Sequence, residues 1–183
     1  MPHLDGRNIF LLGFMATGKS RVGAELAGLL EWEAIDTDEM IEESTGKSIS
    51  EIFTLYGEAG FREIEKKIVA EACEKKNCVI SLGGGAVLDA ENWQAITNSG
   101  ITVCLMASVD VLFERISQKS NRPLMAAKSR KEMRDKMNSL LQKRLPYYSR
   151  ADITFQSVEE VTAEELALQI YHYLLNDHAK NNR

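Results

Sequence analysis

Eight residues near the start of the chain, Gly13-Phe14-Met15-Ala16-Thr17-Gly18-Lys19-Ser20, fit the pattern G-x-x-x-x-G-K-[ST] and follow the apolar run Asn8-Ile9-Phe10-Leu11-Leu12. That context is the one phosphate binding needs. A buried strand ending at Leu12 would deliver the chain into a glycine-rich turn whose backbone N–H groups, together with the dipole of a helix beginning near Lys19, converge on one anion. Lys19 would reach the β- and γ-phosphates of a nucleotide as a point charge, and the Ser20 hydroxyl would ligate Mg²⁺.

Such a loop binds nucleotide without saying what becomes of the γ-phosphate, so the other polar clusters must decide. Asp36-Thr37-Asp38 closes a second strand-like run, Glu33 to Asp36, at the end of the sheet where ligands bind in open α/β folds. Residues two apart on a strand point the same way, so both carboxylates could face the cleft, one supporting Mg²⁺ and one a substrate hydroxyl. Asp38 could instead be the N-cap of a helix through Glu39-Met40-Ile41. Gly83-Gly84-Gly85 follows the run Val79 to Leu82 and allows close approach to the backbone, or simply a turn. Arg62, Arg122 and Arg144 are candidates for carboxylate or phosphate binding, since a guanidinium donates two parallel hydrogen bonds.

These groups must be positioned by a chain of 183 residues, 44% hydrophobic, which suits one well-buried domain spanning 1–183. A net charge of −5 argues against a nucleic-acid partner. The absence of a long apolar run or a signal-like start points to a cytoplasmic protein with no membrane contact. Cys73, Cys78 and Cys104 lack disulfide or thiolate-zinc spacing and read as reduced thiols, and His3, His172 and His178 read as surface or packing residues. No exposed apolar stripe announces an interface, so a monomer is expected.

Strand runs at 8–12, 33–36, 79–82, 101–105 and 153–155 alternate with helical stretches, which predicts a three-layer α/β/α fold around a central five-stranded parallel sheet. Val22, Leu26, Leu29 and Leu30 mark the helix after the phosphate loop. Ser48 and Glu51 form a capping box for a helix that Gly57 should stop, with a second helix from Glu58 to Lys75. The basic, proline-containing stretch Gln118 to Arg130 reads as a short mobile lid. Met133, Met137, Leu140 and Leu141 mark a helix that Pro146 should end or kink. Thr162 and Glu165 cap a last helix burying Leu166, Ile170 and Leu174, followed by a frayed tail from Asp177.

Taken together, these residues resemble the shikimate kinase family, of the P-loop, nucleoside monophosphate kinase-like type. The resemblance spans nearly the whole chain and rests on the order of five segments: the phosphate loop, Asp36-Thr37-Asp38, Gly57 to Glu65 with its Phe61-Arg62-x-x-Glu65 core, Gly83 to Gly85, and Arg122-Pro123-Leu124 followed by Arg144. It implies Mg²⁺-dependent transfer of the γ-phosphoryl of the co-substrate ATP to the 3-hydroxyl of shikimate. On that resemblance Lys19, Asp38 and Arg122 are catalytic, and Gly13, Ala16, Thr17, Gly18, Lys19, Ser20, Arg21, Arg115 and Arg122 contact the nucleotide. Within that set Arg115 stacks on adenine, and Arg122 swings onto the phosphates from the lid. Asp38, Arg62, Gly83, Gly84, Gly85 and Arg144 would hold shikimate, with Arg62 and Arg144 on its carboxylate, while Ser20 and Asp36 serve Mg²⁺.

Two positions depart from the family pattern. Ala16 stands where many members have glycine, and the segment after Arg144 is one residue short, which lets Lys143 or Arg150 compete for the carboxylate. The alternatives are another small-molecule kinase such as a gluconate kinase, less well an adenylate-type kinase, or a nucleotide-binding module without transfer. The glycine triplet and Arg122-Pro123-Leu124 favour shikimate, and intact Lys19, Ser20, Asp36, Asp38 and Arg122 favour an enzyme.

Overall fold

A computed structural model describes residues 6–117 and 129–181. Five strands, β1 (Asn8–Leu12), β2 (Glu33–Asp36), β3 (Cys78–Ser81), β4 (Gly100–Met106) and β5 (Ile153–Gln156), form one parallel sheet in the order β2-β3-β1-β4-β5. The helices are α1 (Lys19–Leu30), α2 (Thr37–Thr45), α3 (Ile49–Glu74), α4 (Ala90–Ser99), α5 (Val109–Ser117), α6 (Arg130–Tyr148) and α7 (Ala163–Asn181), with a short 3-10 turn at Ala86–Leu88. The expected three-layer α/β/α architecture is what the chain adopts.

Strand β1 lies at the centre and is buried along its whole length, which is why its sequence from Ile9 to Leu12 is continuously apolar rather than alternating. Its side chains divide between the two faces. Ile9 and Leu11 pack with Val22, Leu26 and Leu30 of α1 and Leu166, Ile170 and Leu174 of α7. Phe10 and Leu12 pack on the other side with Val69, Ile96, Leu112, Met137 and Tyr148 of α3 to α6. A smaller cluster, Ile41, Ile52, Phe61 and Ile68, ties α2 to α3, with the Phe53 and Phe61 rings stacked at 4.6 Å. None of the helices among the described residues is long and apolar enough to cross a membrane.

Local signals set most of the element boundaries. Ser48 and Glu51 close a reciprocal capping box at the start of α3, and Thr162 and Glu165 do the same ahead of α7, with bonds of 2.9 and 3.1 Å. Gly57, at φ 68° and ψ −175°, kinks α3 where a break was expected between two helices.

Three boundaries differ from the sequence reading. Pro146 does not end α6, which continues to Tyr148, and the Ser149 N–H bonds to Leu145 O at 3.0 Å. The tail expected to fray from Asp177 is helical to Asn181 as part of α7. Arg130, placed at the edge of the lid, is the first residue of α6, because Ser129 accepts from the Glu132 N–H as its N-cap. The remainder of the expected lid, including Arg122, lies at residues 118–128, outside the described residues, as does His3.

Candidate active site

Because β1 is flanked by β3 and β4, the loops leaving the carboxyl ends of all three strands meet at one edge of the sheet. The loop after β1 carries Gly13 at φ 140° and Gly18 at φ 93°. A Cβ on Gly13 would run into the Leu105 carbonyl of β4, so only glycine fits there. Gly18 is the N-cap of α1 and offers no side chain, which leaves the first N–H groups of the helix for another acceptor.

Thr17 is buried and bonds to Phe14 O at 2.9 Å, bracing the loop. Lys19 folds back across it, its Nζ donating to Gly13 O and Phe14 O at 3.1 Å each. Arg21 is exposed on α1. Ala16 sits at φ 64°, inside the narrow left-handed region that an L-residue enters at a cost of roughly 1–2 kcal/mol, so the glycine-like backbone persists without glycine.

The two aspartates divide in a way strand alternation does not predict. β2 ends at Asp36 and α2 starts at Thr37, so Asp38 lies in the first turn of a helix; Asp36, not Asp38, is the N-cap, accepting from the Asp38 N–H at 2.9 Å. The other Asp36 oxygen accepts from Ser20 Oγ at 2.5 Å, which joins the aspartate to the phosphate loop. Asp38 turns instead toward the glycine triplet, its Oδ1 2.7 Å from where a Gly83 Cβ would sit.

Each triplet glycine leaves space that a charged group fills. Gly83 faces Asp38 and Glu65, Gly84 faces Arg144 Nη1, and Gly85 faces the Arg62 guanidinium. The position a Gly84 Cβ would take is also 3.5 Å from Gly13 O and 3.6 Å from Met15 N, so the triplet abuts the phosphate loop.

Arg62 is paired with Glu65 and, at 3.4 Å, with Glu58. Glu65 is 2% exposed; burial pushes its carboxyl above the usual carboxylate range, Arg62 opposes that shift, and the nearby Asp38 adds to it. Arg144 is 5% exposed and donates to Gly84 O at 3.1 Å. Among the described residues, Arg144 Nε is the one buried side-chain nitrogen or oxygen without a hydrogen-bond partner.

Both rivals for its place lie elsewhere. Lys143 is exposed, and Arg150 is held 4.2 Å above the Trp93 ring while donating to Val87 O at 2.6 Å. Arg115 bonds to Ala16 O, Ser157 Oγ and Val158 O, so its guanidinium bridges the phosphate loop and the loop after β5.

Two residues of the cluster escaped the sequence reading. Tyr148, fully buried, donates to Gly84 O at 2.6 Å, and burial pushes its phenol up to about 12. Thr37 accepts from the Gly83 N–H at 2.9 Å and fixes the start of α2 against the triplet. The 64-residue separation of Tyr148 from Gly84 leaves no local signal. Thr37, between two aspartates, was visible only as a spacer.

The shikimate kinase family model matches residues 15–175. A shikimate kinase of Thermodesulfovibrio yellowstonii is 44% identical over 164 residues, covering 90% of this chain and 92% of that protein. The structure of Acinetobacter baumannii shikimate kinase in complex with shikimate superposes with a TM-score of 0.88 at 35% identity, covering 93% of this chain and 94% of that one. A gluconokinase from Sinorhizobium meliloti, at 15% identity and a TM-score of 0.58, shares the fold alone. With the family match running from inside the phosphate loop into α7 and such identity sustained over nine-tenths of its length, the chain belongs to the shikimate kinase family.

Proposed function

We propose that the protein transfers the γ-phosphoryl group of ATP to the 3-hydroxyl of shikimate, giving shikimate 3-phosphate and ADP. The observation that carries this reading is Arg144: a buried guanidinium whose Nε–H has no partner among the described residues, next to a phosphate loop, calls for an anionic acceptor. The carboxylate of shikimate supplies that anion, and Arg62, across the glycine triplet, supplies a second cation for it. Asp38, beside Gly83, is suited to hold the ring hydroxyls. In the transfer Asp38 accepts the proton of the 3-hydroxyl, the freed oxygen attacks the γ-phosphorus in line, and the bond to the β-phosphate oxygen breaks.

Phosphoryl transfer asks the protein mainly for alignment and charge compensation. Lys19 is positioned to leave the Gly13 and Phe14 carbonyls for the β- and γ-phosphate oxygens. The Ser20 hydroxyl and Asp36 carboxylate, 2.5 Å apart at the rim of the loop, are hard oxygen donors of the kind Mg²⁺ takes alongside water and phosphate, so this pair fits the ion. When bound there, Mg²⁺ neutralises charge on the phosphate oxygens.

ADP release measured with MgATP and shikimate, gluconate, AMP or no acceptor tests the reading. Release that depends on shikimate alone is expected. Release driven by gluconate or AMP would keep the phosphate loop and overturn the acceptor assignment, and silence with all four would remove the kinase reading.

A further inference from the structure

We propose that Arg115 acts as a positioning strut for the phosphate loop, holding Ala16 in the left-handed conformation that keeps the loop's amides turned toward the phosphates. This inference rests on the reading of Gly13 to Ser20 as a nucleotide phosphate seat. It is separate from any contact Arg115 makes with a base.

Ala16 is the loop's one residue with a Cβ at positive φ, so the loop is intrinsically biased to leave this shape. If Ala16 relaxed to negative φ, the peptides on both sides of it would be re-aimed. The Ala16 carbonyl is the handle that prevents this: Arg115 Nη1 donates to it at 3.2 Å. In a trans peptide the N–H lies opposite the carbonyl, so fixing Ala16 O on Arg115 also fixes the Thr17 N–H on the other side of that peptide. There it faces Phe14 O at 3.4 Å, a long bond that a phosphate oxygen could replace.

The strut has a rigid far end. Arg115 Nη1 also donates to Ser157 Oγ at 2.9 Å and Nη2 to Val158 O at 3.2 Å. Ser157 is buried, and its N–H donates to Met106 O of β4 at 2.6 Å. The planar fork of one guanidinium therefore locks the loop after β1 to the loop after β5, and a lysine could keep the charge but not the geometry.

The test uses a ligand with phosphates and no base. Binding of Mg-tripolyphosphate, measured by calorimetry on the full-length protein, is expected to weaken about tenfold in Arg115→Lys, the worth of one charge-assisted hydrogen bond. Ser157→Ala should weaken it in the same direction by less. In an Ala16→Gly background, where the left-handed conformation carries no Cβ penalty, the Arg115→Lys loss should shrink to about twofold. A role confined to holding the fold would not depend on the residue at 16.

Unchanged tripolyphosphate affinity in both Arg115→Lys and Ser157→Ala overturns the strut, as does an Arg115→Lys loss of the same size with alanine or glycine at 16. If Arg115→Lys fails to fold, Ser157→Ala with and without Ala16→Gly decides by the same criterion. Loss of tripolyphosphate binding in the variants of a protein that shows no acceptor-dependent ADP release would uphold the strut and sink the kinase reading, so the two fail separately.

Discussion

Glu65 concentrates the electrostatic tension of the site in one side chain. It is buried and neighbours Asp38, and although Arg62 and, more weakly, Arg144 compensate it, its carboxyl titrates above the ordinary value of 4.5. The unfolded chain releases this proton first. Between the ordinary value and the raised one, the folded state binds more protons than the unfolded, so stability falls as pH rises through that interval. Glu65→Gln mimics the protonated side chain at every pH. Calorimetric melting from about pH 4 to pH 7 should therefore show the variant gaining on the wild type as pH rises through the interval above 4.5. A gap between the two proteins that stays constant with pH would mean that Glu65 is not held above its ordinary range. The same residue shows how far local reading goes: Phe61-Arg62-x-x-Glu65 was legible as a motif, whereas the burial of Glu65 beside Gly83 and Asp38 depends on contacts across the fold.

At the scale of elements, α3 carries both Arg62 and Glu65 on the far side of the Gly57 kink. At φ 68° and ψ −175° this residue occupies backbone space that is essentially reserved for glycine. Among the described residues, no heavy atom beyond its own stretch of chain lies within 4 Å of where its Cβ would sit, so a substitution meets backbone strain rather than a tertiary clash. Gly57→Ala should cost about 1–3 kcal/mol, read as a lower urea midpoint with an unchanged slope, and raise the acceptor KM as the Arg62 segment shifts. An acceptor KM equal to wild type alongside the stability loss would separate the kink from the placement of Arg62. The kink was legible because glycine interrupts a helical pattern in sequence. The start of α2 was not: Thr37 opens the helix while buried against Ser81 and Gly83 of β3 and its loop, and this long-range bond moved Asp38 off the strand, splitting the two carboxylates.

Across the whole molecule, the order β2-β3-β1-β4-β5 divides the site about its central strand. The β2 and β3 side brings Asp38, Arg62 and the glycine triplet, with Arg144 and Tyr148 arriving from α6; the β4 and β5 side brings Arg115 and Ser157. The order of the strands has no local code: the sequence predicts five strands of a parallel sheet but not which of them are neighbours. The division predicts which effects add. Among the described residues Arg62 and Ser157 share no hydrogen-bond or ion-pair partner, so Arg62→Lys and Ser157→Ala should combine additively to within about 0.5 kcal/mol in the rate measured with both substrates below saturation. Tyr148 and Arg144 both donate to Gly84 O, so removal of either hands the carbonyl to the other. Tyr148→Phe and Arg144→Lys should therefore depart from additivity by roughly 0.5–3 kcal/mol in the same assay. Coupling across the sheet as large as that at Gly84 would mean that acceptor and nucleotide are held by one network spanning β1 rather than by two that meet at the phosphate loop.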